Sequence, residues 1–207
     1  YAGIYNNDFE SMLIPMYGRT IHTINGEEIF QPYGNRQEHY INSVSRLEMN
    51  KVLIDFAEKT GKVKCHFNMK CDKINLPNNK IYFNGTSTDI TTPIIGADGY
   101  RSVVSKHISD LKNENLDYIN IEHSYKELTI KPKNNEYQME PNSLHIWPRR
   151  DMMMIALPNL DRSFTCTLFM KETGVDSFDS IKIKEDLYTF FEKYFFDSLS
   201  LISNIED

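Results

Sequence analysis

Between residues 13 and 44 apolar and polar positions alternate in short pieces: "LIPMYGRTIHTI", then "NGEE", then "IFQPYG". A period of two marks strands with one face turned to a core. Asn25-Gly26 sits between the runs, and both residues tolerate the positive φ of a tight primed turn, so the pattern predicts two antiparallel strands. At Ser45 the period changes. Met49, Val52, Leu53, Phe56 and Ala57 recur at i, i+3, i+4, i+7 and i+8, the apolar stripe of a helix over 46–59. Ser45 and Glu48 have the spacing of a capping box, and Gly61 supplies a C-terminal cap. "KVKCHFN" then places Val63, Cys65 and Phe67 on one face of a strand, so helix and strand together read as one step of a layered α/β sheet.

Further along, "KINLPNNKIYFNG" predicts a hairpin or meander about Pro77-Asn78-Asn79, "TTPIIGADG" a short buried strand, and "YRSVVSKHI" a short helix. Past residue 116 the chain predicts long strands at 118–130, 143–149, 152–158 and 163–170, with turns at "PRRD" and "NLDRS". A last helix carries Ile183, Leu187, Phe190, Phe191 and Tyr194 on one face. Within the strands, alternation groups Leu144 with Ile146, then Met153 with Ile155 and Leu157, then Thr165 with Thr167 and Phe169. Such a ladder is either a sheet face packed on a helix or a concave wall able to hold an aromatic ring, with methionine giving adaptable surface. The expected fold class is α+β: mostly antiparallel sheet in 1–44 and 111–207, interleaved with an α/β module over 45–110.

Composition narrows the partners. The 207 residues carry 23 basic and 29 acidic side chains, a net charge of -6, and the basic ones are scattered, which argues against nucleic acid. Three cysteines, Cys65, Cys71 and Cys166, show no CxxC spacing and suit a reducing cytoplasm rather than a disulfide framework or zinc site. The six histidines lie apart in sequence, so no metal is expected. No apolar run is long enough for a membrane segment, and "YAGIYNNDFE" lacks signal-peptide features and reads like the middle of a longer chain. Oligomeric state is not legible.

Of the nine glycines none falls into Gly-x-Gly-x-x-Gly or a P-loop, and no Gly-x-Ser-x-Gly nucleophile motif occurs. Gly96-Ala97-Asp98-Gly99 is the suggestive exception. Its plain reading is a turn in which Asp98 caps the next helix; its functional reading is a carboxylate at the rim of a ligand site. Arg46 opposes the dipole of the helix it opens, so it calls for an anionic ligand or a neighbouring carboxylate. Arg19 is either a surface rung or a clamp for a ligand carboxylate.

Taken together and in order, "IPMYGRTIH", "PYG", "SVSRLEMNKVLIDFAEK", "HFN", "GADGYRS", "YKELTI", "MEPNSLHIWPR" and "MMIALPNLDRSFTCTLFM" resemble the kynurenine 3-monooxygenase family, FAD-dependent aromatic hydroxylases related to para-hydroxybenzoate hydroxylase. The resemblance implies a flavoprotein that uses FAD, NADPH and oxygen to hydroxylate L-kynurenine to 3-hydroxykynurenine in tryptophan catabolism and NAD biosynthesis. No side chain need act as a conventional acid or base. By that resemblance Arg19 and Tyr33 hold the substrate carboxylate. Ile41, Leu144, Met153, Ile155, Leu157, Thr167 and Phe169 form the ring pocket. Arg46, Cys71 and Asp98 belong to the FAD site, the 45–110 module being part of a Rossmann-like FAD domain. A departure stands at Ser105-Lys106, where the family pattern has arginine and lysine lacks the planar fork. The resemblance also places a glycine-rich strand before residue 1 and a flavin-holding "GD" segment after 207, which implies an inactive, flavin-free piece. A hydroxylase of another aromatic acid and a non-catalytic binding domain are the alternatives.

Overall fold

The computed structural model describes residue 3 and residues 7–36, 38–203 and 205–206. Its elements run in the order α1 (Asn7–Glu10), β1 (Leu13–Met16), β2 (Gly18–His22), β3 (Glu28–Pro32), β4 (Ile41–Val44), α2 (Arg46–Lys59), β5 (Cys71–Asn75), β6 (Lys80–Phe83), β7 (Thr86–Asp89), α3 (Val103–Lys112), β8 (His123–Ile130), β9 (Ser143–Arg149), β10 (Met152–Pro158), β11 (Phe164–Lys171) and α4 (Lys184–Tyr194). This is the expected α+β class. The chain divides into two compact units, one of Tyr1–Ala57 with Ile121–Asp207, the other of Glu58–Asn120.

In the first unit a six-stranded sheet has the order β3-β2-β9-β10-β11-β8, and β1 with β4 forms a separate pair. All neighbours are antiparallel except β2 and β9, which run parallel. The hairpin expected at Asn25-Gly26 joins β2 to β3, and Gly26 takes φ +82°. The pleat then sorts the side chains. Trp147, Met154, Ala156, Cys166, Leu168 and Leu128 fall on one face, where Phe190, Phe191 and Phe195 of the α4 region complete the core. Trp147, Met154, Ala156 and Cys166 are fully buried, so burial itself drives α4 onto this face. Cys166 loses all thiolate character there, burial pushing its thiol up to about 12.

Polar residues on the same face satisfy one another. Thr20 and Ser143 share a hydrogen bond of 2.7 Å. His145 Nε2 lies 2.9 Å from the Glu140 carbonyl and must donate to it, which leaves His145 Nδ1 to accept from His22 Nε2 at 2.9 Å. The His22 ring stacks on Trp147 with centroids 3.9 Å apart and meets the Asp197 carboxylate at 3.3 Å. Trp147 Nε1 donates to the same Asp197 oxygen at 2.8 Å. Arg149 donates to the carbonyls of Tyr194, His22, Pro148 and Thr23, fastening the end of α4 to the β2–β3 hairpin.

The second unit holds the three-stranded meander β5-β6-β7, with a single 3-10 turn at Leu76–Asn78 where the turn was expected. Helix α3 is capped twice. Ser102 Oγ accepts from Ser105 N at 2.8 Å, and Asp98 accepts from Val103 N at 2.7 Å and from Ser102 Oγ at 2.5 Å. Gly96 allows the close approach this needs, since a Cβ there would sit 2.7 Å from Val104 Cβ.

Helix α2 matches its expected limits, and Gly61 ends it at φ +69°. Only half of the capping box forms: Glu48 N reaches Ser45 Oγ at 3.4 Å, while the Glu48 side chain turns to Lys51 at 2.7 Å. Three expectations need correction. Residues 61–70 are turn and irregular chain, with Asn68 at φ 57°, and Cys65 N donates to Glu58 Oε1 instead of to a strand. Residues 90–98 pair with no strand among the described residues, and Ile95 is 90% exposed, so this apolar run is not a buried strand. The strand expected from 118 begins only at His123. In each case the apolar pattern exists, but among the described residues no partner strand supplies the ladder hydrogen bonds that make a strand.

Two outcomes follow for stability. Burial holds the His145 imidazole below its ordinary 6.5, with the His22 charge adding to the effect and the Glu140 carbonyl opposing it. The folded protein therefore keeps His145 neutral while the unfolded chain takes up a proton, so stability is full above 6.5 and falls as pH drops below it. The groups facing the His145–His22 pair are Glu28, Glu140 and Asp197, of which Asp197 is held below the usual carboxylate range. Urea midpoints at pH 7.5 and 5.5 should differ less in His145→Gln than in the parent. For α3, Asp98→Ala should speed amide exchange at Val103 and Val104 by an order of magnitude or so while leaving β11 unchanged.

Candidate functional site

The face of the six-stranded sheet opposite α4 carries the ladder seen in the sequence. Cross-strand register aligns Ile21, Ile146, Ile155, Thr167 and Glu127 in one row, and places Met153, Phe169 and Tyr125 beside it. These residues alternate with fully buried ones, as the burial of β9, β10 and β11 shows position by position. The ladder is thus a wall and not the core face.

A hollow of about 680 Å³ opens on this wall. Its floor is Ile155, Leu157, Thr165, Thr167 and Phe169, and its sides are Tyr125, Glu127, Asn159 and the Ser43–Leu47 stretch that opens α2. Four of the seven residues expected for a ring pocket, Ile155, Leu157, Thr167 and Phe169, line it. Leu144 and Met153 lie on the same face but outside the hollow, and Met153 is 38% exposed. Ile41 is elsewhere, on the two-stranded β1–β4 pair opposite Met16, and is also exposed. Ser43, Tyr125, Glu127 and Asn159 were missed by sequence reasoning; Tyr125 and Glu127 share the alternation of β8, but nothing local says that β8 closes the sheet.

Arg19 and Tyr33 come together. The Arg19 guanidinium lies 5.4 Å from the centre of the Tyr33 ring, a cation–π contact between β2 and the segment leaving β3. The hairpin register explains it: Gly18 faces Pro32, and Tyr33 N donates back to Tyr17 O at 3.0 Å, so the chain turns Tyr33 against the root of β2. The Tyr33 hydroxyl is buried and has no hydrogen-bond partner. A buried hydroxyl without a partner costs about 1–3 kcal/mol. Arg19 makes no ion pair among the described residues, which leaves its charge available beside that hydroxyl.

Arg46 is the first residue of α2, is exposed, and lines the hollow. No carboxylate among the described residues pairs with it, so its position against the helix dipole is not relieved within this unit. In the second unit Cys71 opens β5, and its thiol is pushed up by burial and by the nearby Asp98 charge. Asp98 is held below the usual carboxylate range, foremost by the Ser102 hydroxyl, with the Val103 and Val104 N–H groups adding to it. Its carboxylate is therefore committed to α3, as in the plain reading of the glycine-flanked turn. Lys106 is exposed on α3, near Tyr100, Arg101 and Tyr118.

A larger cleft, about 870 Å³, lies at the β9–β10 turn. Its charged walls largely pair with themselves, Lys171 with Asp151 at 3.7 Å and Lys193 with Asp176 at 3.5 Å. Its apolar lining, Ile24, Pro148, Met152 and Val175, lies apart from the Ile155–Thr167 ladder. Among the described residues no group of His, Cys, Asp and Glu could hold a metal, and no helix is long and apolar enough to cross a membrane.

No family model matches the chain. Individual relatives do. The chain is 43% identical to a kynurenine 3-monooxygenase of Sus scrofa over 195 residues, covering 91% of this chain and 40% of that protein. It is 38% identical to that of Dictyostelium discoideum, covering 98% and 45%, and 36% identical to that of Legionella pneumophila, covering 96% and 45%. The chain thus spans less than half the length of the curated relatives it matches. Among solved structures, a flavoprotein/dehydrogenase from Cytophaga hutchinsonii shares the fold with a TM-score of 0.65 at 11% identity, over 98% of this chain and 50% of that one. The flavin-dependent halogenase CmlS does so at 0.59 and 13%, over 97% and 36%, and a tetracycline destructase at 0.56 and 16%, over 97% and 51%. Along almost all of its own length, the chain is similar in sequence to part of these kynurenine 3-monooxygenases.

Proposed function

We propose that this stretch forms the substrate-holding part of an FAD-dependent monooxygenase that uses NADPH to hydroxylate L-kynurenine to 3-hydroxykynurenine. The observation that carries the reading is the Tyr33 hydroxyl, buried and without a partner, beside the unpaired guanidinium of Arg19. A carboxylate accepts from both at once: a charge-assisted bond from the guanidinium and a neutral one from the phenol. The apolar floor of Ile155, Leu157 and Phe169 suits an aromatic ring, and Thr167 adds a hydroxyl at its centre. Leu144 continues that surface toward Arg19, and Met153 continues it at the opposite end, beside Phe169. Ile41 we keep in the pocket only as an assignment from kinship.

Arg46, exposed and unneutralised at the start of α2, fits a flavin phosphate or ring oxygen. In the second unit we assign Cys71 and Asp98 to the same cofactor, Asp98 acting by shaping the Gly96–Gly99 turn. Bound flavin would supply the oxygen-activating chemistry. The chain's own residues then orient the ring, anchor the carboxylate and exclude water; no proton shuttle is required of them. Produced alone, the 207-residue chain should be colourless and inactive, because no phosphate cradle of the Gly-x-Gly-x-x-Gly kind occurs in it. The reading places the enzyme in the cytoplasm.

In the flavin-loaded protein that carries this stretch, Arg19→Ala should raise the KM for kynurenine about tenfold or more with little change in kcat, the loss of one charge-assisted bond. An unchanged KM would remove the carboxylate assignment, and with it the preference for kynurenine over other aromatic acids. Tyr33→Phe separates binding from folding. It should raise KM several-fold while leaving the melting temperature unchanged or higher, because it removes a buried hydroxyl that has no partner.

A further inference from the structure

The hollow contains one feature that carboxylate capture and ring packing leave unused: Glu127, the single carboxylate on its lining. We propose that Glu127 accepts a hydrogen bond from the amino group on the substrate's aromatic ring, and so selects 2-aminophenyl ketone amino acids over their ring-unsubstituted counterparts. The inference rests on the carboxylate and ring assignments made above.

Position comes first. Glu127 stands opposite Thr167 on β8, and Thr167 stands opposite Ile155 on β10, so its side chain belongs to the wall face. Toward the other edge of the same face Arg19 stands opposite Leu144 on β9. Four strand steps separate β2 from β8, about 19 Å of backbone at about 4.8 Å per step. The long Arg19 side chain and the shorter Glu127 side chain close that span from both ends, down to roughly the length of an amino acid bearing one aromatic ring. A ligand anchored by its carboxylate at Arg19 and Tyr33, lying across the strands, presents its ring over Ile155, Thr167 and Phe169 and its ring edge to Glu127.

Chemistry then selects the group. The substrate's ammonium is attached to the carbon that bears the carboxylate, so it remains at the Arg19 end. At the ring end the remaining donor is the ring amine. One of its two hydrogens can bond internally to the neighbouring ketone oxygen; the other points away from the chain and needs an acceptor. No ion pair or hydrogen bond among the described residues occupies the Glu127 carboxylate; of the other donors lining the hollow, Thr167 stands opposite Glu127, Tyr125 lies two residues along β8, Arg46 belongs to the Ser43–Leu47 side, and Asn159 is bonded to Ser163 and Thr165. Placing that amine without an acceptor would leave a desolvated N–H, which is the penalty that gives such sites their selectivity.

The plainer role for Glu127 is an edge charge, since β8 ends the sheet and charged residues there deter strand-to-strand association. The two roles differ in what a ligand feels. Dissociation constants would be measured on the flavin-loaded protein for L-kynurenine and for 2-amino-4-oxo-4-phenylbutanoate, which lacks only the ring amine. The parent should prefer kynurenine by about tenfold, one hydrogen bond to a charged acceptor. Glu127→Ala and the shape-conserving Glu127→Gln should cut that preference to threefold or less by weakening kynurenine alone, with the analogue's affinity and the melting temperature unchanged. Arg19→Ala, by contrast, should weaken both ligands alike. If the Glu127 variants weaken both ligands equally, or neither, the proposed contact is wrong while the carboxylate clamp stands. If the parent binds neither ligand, the functional reading itself fails.

Discussion

The two-residue period of the pleat is the constraint on which this structure depends. Trp147 and Ile146 are neighbours in sequence yet must point to opposite sides of β9. Once Trp147, Met154, Ala156 and Cys166 are sealed beneath Phe190, Phe191 and Phe195, the intervening Ile146, Ile155 and Thr167 have no choice but to form the other surface. A slip of one residue in register would exchange the two sets, burying the threonines and exposing the tryptophan. The wall of the hollow is therefore a by-product of core burial, held in place by the free energy that fixes the core.

The two faces treat polar groups differently. Under α4 most polar side chains have partners, Thr20 with Ser143, His22 with His145 and Asp197, Trp147 with Asp197, Arg149 with four carbonyls, and Asp197 Oδ1 is left without one. Asp197 shows the balance in one residue. Burial alone would raise its pKa, but the bonds from His22 and Trp147 outweigh burial and hold it below the usual range. Across the sheet the Tyr33 hydroxyl is orphaned, and Arg19, Arg46 and Glu127 have no opposite charge among the described residues. Groups left unsatisfied on a surface that a rigid scaffold positions are where a chain sacrifices stability for binding.

The fold by itself carries little functional information. A halogenase and a tetracycline destructase share it at 13% and 16% identity, so the same sheet supports several chemistries. What distinguishes this chain is the identity of the few residues that the wall and the hairpin present. The proposed function rests on likeness at 36–43% identity together with the unpaired Arg19–Tyr33 corner.

Much of this was present in the sequence alone. Helix α2, the Asn25-Gly26 hairpin, the β5–β7 meander and strands β9–β11 are written in local periods and turn residues, because each is stabilised chiefly by neighbours a few positions away. Local signals failed where the partner is remote or lacking: the alternating run at Val63–Phe67 and the apolar Ile94-Ile95 find no strand to pair with, and Ile95 stays exposed. Tertiary structure alone decided which face of the ladder is the wall, that β2 runs parallel to β9, and that Glu127 and Arg46 border one hollow. Thr20 and Ser143 make their bond across 123 residues of chain. No short window of sequence encodes such a meeting, because it exists only after the sheet has assembled and α4 has taken one of its two faces.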